Sequence, residues 1–516
     1  MNRTSINAEK VLEGLSPTNY RISHKDVIGV SWIIPSKFTV RFFTFENCTF
    51  NDEVKIGGFD DLVGFQFIDC IFNHKFSTND ISITGIEENN EDISNGLFFK
   101  NCNFHNSFKL TFKQSIHGIS FSNNTFYDEC LISGGGFDEI RYMSFMIHNN
   151  TFKASTFIRK SEGLYYFREN TFEGQCLVQP NSVNETVSKF EIISGNFNKG
   201  LFFLGSKDKT FRDKDRNEKP FINKISHLNI HCSEQLFGNI YCQDYIIDSL
   251  KISGINSRSN IVFSNIQIEK IYFSDLTNLA NIQFLSIVPE GDSTLTIKKS
   301  NLGKAQFSGC EFDKLQKVSI QGSIVQDIIS VDTDWFTLNV LNPDLKTKND
   351  FRNKREVFRQ LKLSAEKQSD RIRALQFKAQ EYYSFEKELF SSKSRWNDKI
   401  ILWLSKTNSH GQNWAKPSVW LIALTIFFGT MLILIYSPLL EFSLSFKVND
   451  IQTTFSEIWL QKKAIIQILN PVHKLSDIFG EGKTFSGWLY GIDLFYRIVY
   501  AFFVFQIVSA FRKYVK

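Results

Sequence analysis

Between residues 40 and 330 the apolar positions do not simply alternate; they recur in pairs five residues apart. Phe45-Glu46-Asn47-Cys48-Thr49-Phe50 reads F-x-N-C-x-F. The unit returns at Phe67–Phe72 with Cys70 and at Phe99–Phe104 with Cys102. At Phe121–Phe126 and Phe167–Phe172 an Asn, Asn124 or Asn170, takes the Cys slot, and Phe307–Phe312 restores Cys310. Looser copies end at Phe152 and Phe197, and successive closing Phe residues lie 22, 32, 22, 26, 20 and 25 apart. In an unbroken strand, residues i and i+5 face opposite sides. Both are apolar here, so the chain must turn a corner between them. Asn, Asp or Gly just before the Cys slot tolerates the left-handed backbone such a corner needs. Phe263, Ile268 and Phe273, with Ile266 and Ile271, show the same step of five. A spacing near twenty then corresponds to one coil of a solenoid. Each coil would stack its Phe on the next, with the Cys as a small inward neighbour.

The F-x-N-C-x-F units resemble the pentapeptide-repeat family and related right-handed β-helices. The resemblance implies a fold built of stacked coils. The consecutive pentapeptides of the regular family are mostly missing and coil length varies, so a square coil and a broader, irregular one both remain open. The fold class expected is an irregular right-handed parallel β-helix over 40–340. An ordinary Phe-rich β-sandwich fits less well, because sandwiches do not repeat one hexapeptide at near-constant spacing. Residues 1–39 are expected to cap the open end. The stretches 206–220 and 87–92 are charged and read as solvated loops.

The pattern changes after Asn342-Pro343-Asp344. From Phe351 to Leu389 there is no Gly or Pro. Phe351, Phe358, Leu361 and Ala365, then Ile372, Leu375, Ala379, Tyr382 and Leu389, recur at helical spacing. Asp370 or Ser369 can cap the second helix, which predicts a helical hairpin over 345–394. Its Phe358-Arg359-Gln360-Leu361-Lys362 segment, with Asp370, Phe377 and Glu381, resembles a helical module of pentapeptide-repeat membrane proteins, where it links the repeats to membrane helices. Lys346, Lys348, Arg352, Lys354, Arg355, Arg359 and Lys362 form a basic linker patch. It reads as a solvated helix face or as a surface for anionic lipid or nucleic acid. Over 395–416, Trp396, Ile400, Trp403 and Leu404 share one helical face. That suits either a helix lying on a membrane surface or a third helix packed on the pair.

Val419 to Leu440 carries no charge over 22 residues, enough to cross a bilayer. Trp414 and Trp420 stand at its entry and Trp488 opens a second stretch, all in the aromatic-belt position. The expected spans are 417–440 and 488–510. Asp493 and Arg497 lie one turn apart in the second and can pair; Gln506 follows. Intramembrane charges usually face protein or water, so these three predict a polar lining or an oligomer contact, unless the charged pair snorkels. The loop 441–487 reads as extracytoplasmic or as holding a half-buried helix. Residues 511–516 form a basic tail. Leu469-Asn470-Pro471-Val472-His473-Lys474 and Ala510-Phe511-Arg512-Lys513-Tyr514 resemble the tail of uncharacterised bacterial membrane proteins, a resemblance that brings no activity with it.

Composition refines this picture in three ways. Phe supplies 53 of the 516 residues, more than one conventional core requires, and the repeat and the spans share them. All eight Cys precede residue 311, without a CxxC pair or a secretory leader, which favours a reducing cytosol. Basic residues flank both spans, so positive-inside logic places both termini in the cytoplasm of a cell inner membrane. The net charge of +5 makes a nucleic-acid partner unlikely to dominate and leaves the lipid bilayer, further copies of the chain and an unknown protein or ligand on the β-helix as expected partners.

Chemistry motifs are few. His227 and His231 flank Leu228-Asn229-Ile230, and on a strand they would stand about 13 Å apart, too far for one metal. Gly134-Gly135-Gly136 lacks the Lys-Ser/Thr of a phosphate loop. The sequence therefore calls for no catalytic residue, metal or cofactor. It favours a bacterial inner-membrane protein whose cytosolic β-helix recognition domain is coupled to an oligomeric two-helix module, a pore or a membrane effector of the kind that serves stress or phage defence. The alternatives are a membrane-tethered interaction scaffold and a membrane-attached carbohydrate-active β-helix enzyme.

Overall fold

The structure is a computed structural model. It describes residues 4–7, 20–28, 32–33, 43–57, 64–79, 96–112, 118–134, 144–160, 163–180, 188–205, 210–212, 218–220, 223–344, 347–390, 396–411, 413–440, 452, 456, 459, 462–470 and 472–511. Residues 1–345 and 346–516 form two compact units. Lys346, the loop at 87–92 and the tail beyond Phe511 lie outside the described residues, as does most of 441–461.

The first unit is a parallel β-solenoid. One coil comprises Phe43–Glu46, Thr49–Phe50 and Val54–Gly57. These strands pair in parallel with Gly64–Ile68, Ile71–Phe72 and Phe76–Asn79 of the next coil. Among the described residues these coils have three walls, with a short middle one, whereas the later strand Arg258–Asn278 pairs through four successive segments, 260–264, 266–268, 270–274 and 276–278. The corner between first and second walls is Asn47, Asp69, Asn101, Asn123 or Asn149, with φ of 53°, 53°, 54°, 57° and 53°. Short polar side chains bear this left-handed backbone at least cost. The residue after each corner then points inward, which is why Phe45 and Phe50 both reach the core although they are five apart.

The rings stack as the strands do. Along the middle wall, Phe50, Phe72, Phe104, Phe126, Phe152 and Phe172 stand 4.7, 4.6, 4.7, 4.7 and 4.5 Å apart, centroid to centroid. Phe45, Phe67, Phe99 and Phe121 form a second file on the first wall at 5.1, 5.1 and 5.3 Å. These spacings follow the strand separation of a parallel sheet. The two files meet edge to face, as Phe67 does Phe72 at 5.5 Å, a favoured aromatic geometry. All of these rings are buried, as is Phe167.

Between the files lies a ladder of small polar side chains. Cys48, Cys70 and Cys102 occupy it first, then Asn124, Asn150 and Asn170, all buried. Each thiol donates to a carbonyl of the preceding coil, Cys70 to Phe45 and Cys102 to Phe67. The carboxamides go further. Asn150 Oδ1 accepts from Asn124 N and Nδ2, both at 2.9 Å, and Asn150 Nδ2 donates to Phe121 O at 2.9 Å. Asn170 Oδ1 in turn accepts from Asn150 N at 2.9 Å. The inward polar groups are thus satisfied by one another, as buried groups must be.

One copy of the hexapeptide sits elsewhere. Phe307 pairs with Phe284, which continues through Phe263, Cys242 and Phe203 to the third wall. The first-wall file instead continues from Phe121 through Ile147, Phe167, Ile192 and Ile230 to Ile252, Phe273, Ile297 and Ile320. Phe307–Phe312 therefore turns a different corner with the same local device. Gly309 has φ 61° and Cys310 donates to Phe284 O. Phe312 is buried there too.

At the N-terminus the described strands Thr4–Asn7, Tyr20–Ser23, Lys25–Ile28 and Trp32–Ile33 pair in parallel with following strands. They belong to the same sheet. Within the charged stretch near 210, Thr210–Arg212 and Glu218–Pro220 form an antiparallel pair.

The second unit is helical. Helices α1 (Lys348–Lys367) and α2 (Arg371–Phe390) pack as a hairpin. Thr347 and Asp350 form a capping box on α1, and Asp370 Oδ1 caps α2 by accepting from Arg373 N at 3.0 Å. Val357, Phe358, Leu361 and Ala365 of α1, and Ala374, Phe377 and Ala379 of α2, are buried. Ile372 lies outside that stripe and is exposed. Helix α3 (Trp396–Lys406) follows, then α4 (Ala415–Leu440), α5 (Lys462–Leu469), α6 (Leu475–Phe479) and α7 (Gly487–Phe511). Among the described residues, α7 is the one helix long and apolar enough to cross a membrane; the described apolar run in α4 is shorter, Ala415–Gly429.

Candidate functional site

Helices α4 and α7 run antiparallel. Trp414 stacks on Phe511 at 5.4 Å, and Phe428 meets Phe495 and Tyr496. Phe428, Ile468, Leu475, Ile478, Phe479, Leu489 and Tyr496 form the buried cluster that joins α4, α5, α6 and α7. The described helices α5 and α6 between the two long helices are thus packed against both. Away from that cluster, the apolar Val419, Trp420 and Ile422 on α4, and Leu494, Ile498 and Phe505 on α7, are exposed. Bare apolar helix faces of this extent are out of place in water and suit hydrocarbon.

Inside this apolar unit sits one charged cluster. Asp493 and Arg497 are one turn apart, and Arg497 Nη2 donates to Asp493 Oδ2 at 2.6 Å. The other carboxylate oxygen, Oδ1, is 2.8 Å from His473 Nε2. His473 Nδ1 donates to the carbonyl of Asn470 at 2.5 Å, which fixes the ring. Tyr496 adds a neutral branch: its hydroxyl donates to Ile468 O at 3.0 Å and lies 3.2 Å from Thr425 Oγ1. The cluster therefore ties the turn after α5 to the middle of α7. The side chains of His473 and Asp493 are 1% and 5% exposed, and that of Arg497 is 31% exposed. The Nε of Arg497 is buried without a hydrogen-bond partner.

Gln506 is buried, and its backbone carbonyl accepts from Asn408 Nδ2 at 3.3 Å. It stands apart from the Asp493–Arg497 pair, nine residues or about 13 Å along the helix. Of the tryptophans, Trp403, Trp414, Trp420 and Trp488 are exposed. Trp396 opens α3, and its side chain is outside the described residues. Trp488 and the Trp414–Phe511 stack mark opposite ends of α7, about 35 Å apart by helical rise.

Three residues of the basic linker patch are paired within the hairpin. Arg355 pairs with Glu388 at 2.9 Å and Lys362 with Glu381 at 2.9 Å. Arg359 pairs with Glu356 at 2.6 Å, and Lys354 is buried. Lys348 and Arg352 are exposed. In the solenoid, all eight Cys are free and buried. Burial pushes the Cys310 thiol up to about 11 and that of Cys232 to about 12, which suits packing residues rather than thiolates. His227 and His231 lie on one strand, Lys224–Gln243, and His231 Nδ1 is 3.0 Å from Ser253 Oγ. Among the described residues there is no group of three metal-ligating side chains.

The chain matches no protein-family model, no curated protein and no solved structure in these comparisons. Its reading therefore rests on its own geometry. Spacing in sequence brings Asp493 to Arg497, but His473 joins them only through the fold. Its one trace in sequence is the short break Asn470 to Lys474 between apolar stretches.

Proposed function

We propose that the chain is a membrane protein. Its C-terminal unit crosses the bilayer twice, through α4 and α7, and several copies associate there around a pore. The observation that carries this reading is a charged pair in the first half of the one described helix that is fit to span a bilayer, Asp493 buried and Arg497 half-buried beside it. Such charges are expensive in hydrocarbon and are retained where protein or water meets them. Two helices cannot enclose an aqueous path, so conduction needs several copies. The solenoid then serves as a recognition domain on the cytoplasmic side, where the basic flanks put both termini. The exposed Ile400 and Trp403 of α3 suit contact with the bilayer surface. The stacked coils, with irregular loops, keep their kinship to right-handed pentapeptide-like β-helices as part of this proposal.

A second reading, a tethered scaffold without conductance, is favoured by the inward placement of Asp493 and Gln506, which leaves Arg497 as the sole charged side chain of α7 with outward exposure. Purified full-length protein in planar bilayers separates the two. Conductance that Arg497→Leu abolishes supports the pore. Stable insertion without conductance removes it and leaves the scaffold.

A further inference from the structure

The polar cluster of α7 is asymmetric in what it shows to its surroundings. The carboxylate of Asp493 is sealed off by His473 on one side and Arg497 on the other. The guanidinium alone reaches outward, and of its five N–H donors one is engaged in the hydrogen-bonded ion pair described above. Its Nε is itself buried and without a partner, so the donors that can face outward are those left on the two Nη nitrogens. Arg497 stands ten residues into a 25-residue helix, about 15 Å from its start and so near the middle of the hydrocarbon. Its neighbours along the same stripe are Leu494, Ala501 and Val504, which are exposed and apolar. Ala501, one turn on, is too short to cover the guanidinium. Lipid tails offer no acceptor to these donors, so water or an anion must meet them.

Resting on the pore reading above, we infer that Arg497 lines the aqueous path and makes it selective for small inorganic anions. Rings of Arg or Lys select anions in pores by electrostatic attraction and hydrogen bonding. The buried Asp493 lowers the net charge of the ring without presenting a competing negative surface. Each permeating anion would exchange part of its hydration for guanidinium donors.

The test is the reversal potential of the wild-type full-length protein in planar bilayers under an about tenfold KCl gradient. The expected value lies toward the chloride equilibrium potential. Arg497→Lys, which keeps the charge, should retain that sign. Arg497→Gln should bring the reversal potential close to zero or reverse it. A wild-type channel that favours potassium, or an Arg497→Gln channel with unchanged selectivity, overturns the inference and leaves the pore reading standing. Wild-type protein that inserts and carries no current overturns the pore reading, and the inference falls with it.

Discussion

The carboxamide ladder makes a sharp prediction for Asn150. Its side chain is 1% exposed and holds three coils together. The Oδ1 atom accepts from Asn124 N and Nδ2, and Nδ2 donates to Phe121 O, His148 O and Asn170 Oδ1. Asn150→Ala leaves the Asn124 amide without that acceptor in a site closed to water. One stranded buried donor costs about 1–3 kcal/mol, and each of the other lost hydrogen bonds about 1 kcal/mol. Asn124 Nδ2 keeps Phe99 O as an acceptor and the Asn150 Nδ2 group has two N–H donors to lose, so the sum is roughly 3–5 kcal/mol. Asn150→Cys should cost less, because Cys102 occupies the same slot two coils earlier, its thiol 3.4 Å from both Phe67 O and Lys100 O. The single S–H recovers one donation, to Phe121 O or His148 O, but not the accepting role. Urea unfolding of the detergent-solubilised protein, followed by far-ultraviolet circular dichroism, measures both. An Asn150→Ala midpoint corresponding to less than about 1 kcal/mol, or a Cys variant worse than the Ala variant, refutes the ladder as a stabilising element.

Two further outcomes follow from burial. The native thiols should stay unreactive toward a bulky disulfide reagent up to about pH 9, since all eight are buried; unfolding should release eight, and rapid labelling of the native chain would contradict the packing. His410 is buried against Tyr382 and Tyr383, and desolvation lowers its pKa. The unfolded chain then binds more protons than the folded one, so stability should fall as pH drops below about 6.5, with Glu386 and Lys406 as the charged neighbours. His410→Phe should flatten that dependence, and an unchanged pH profile would count against it.

The corners of the solenoid were readable in sequence because a local rule governs them. Asn47, Asp69 and Asn101 each sit where an inward residue must be followed by another after an odd step. The assignment of Phe307–Phe312 to a wall was not readable, since the same corner device serves any wall and only the strand register tells them apart. The pairing of Asp493 with Arg497 was legible from helical spacing. Its third member, His473, lies 20 residues away and meets Asp493 only when α5 and α6 fold back onto α7. The ion pairs of the basic patch were not legible for a related reason. A run of Lys and Arg is visible along α1, but Glu381 and Glu388, which neutralise Lys362 and Arg355, belong to the facing helix.

The most direct test of the central claim is the mass of the full-length complex released from membranes in mild detergent, read by native mass spectrometry. The account predicts a closed oligomer of several 59.8 kDa subunits recovered from the membrane fraction. A species of one subunit alone, or a chain found wholly outside the membrane fraction, would contradict it.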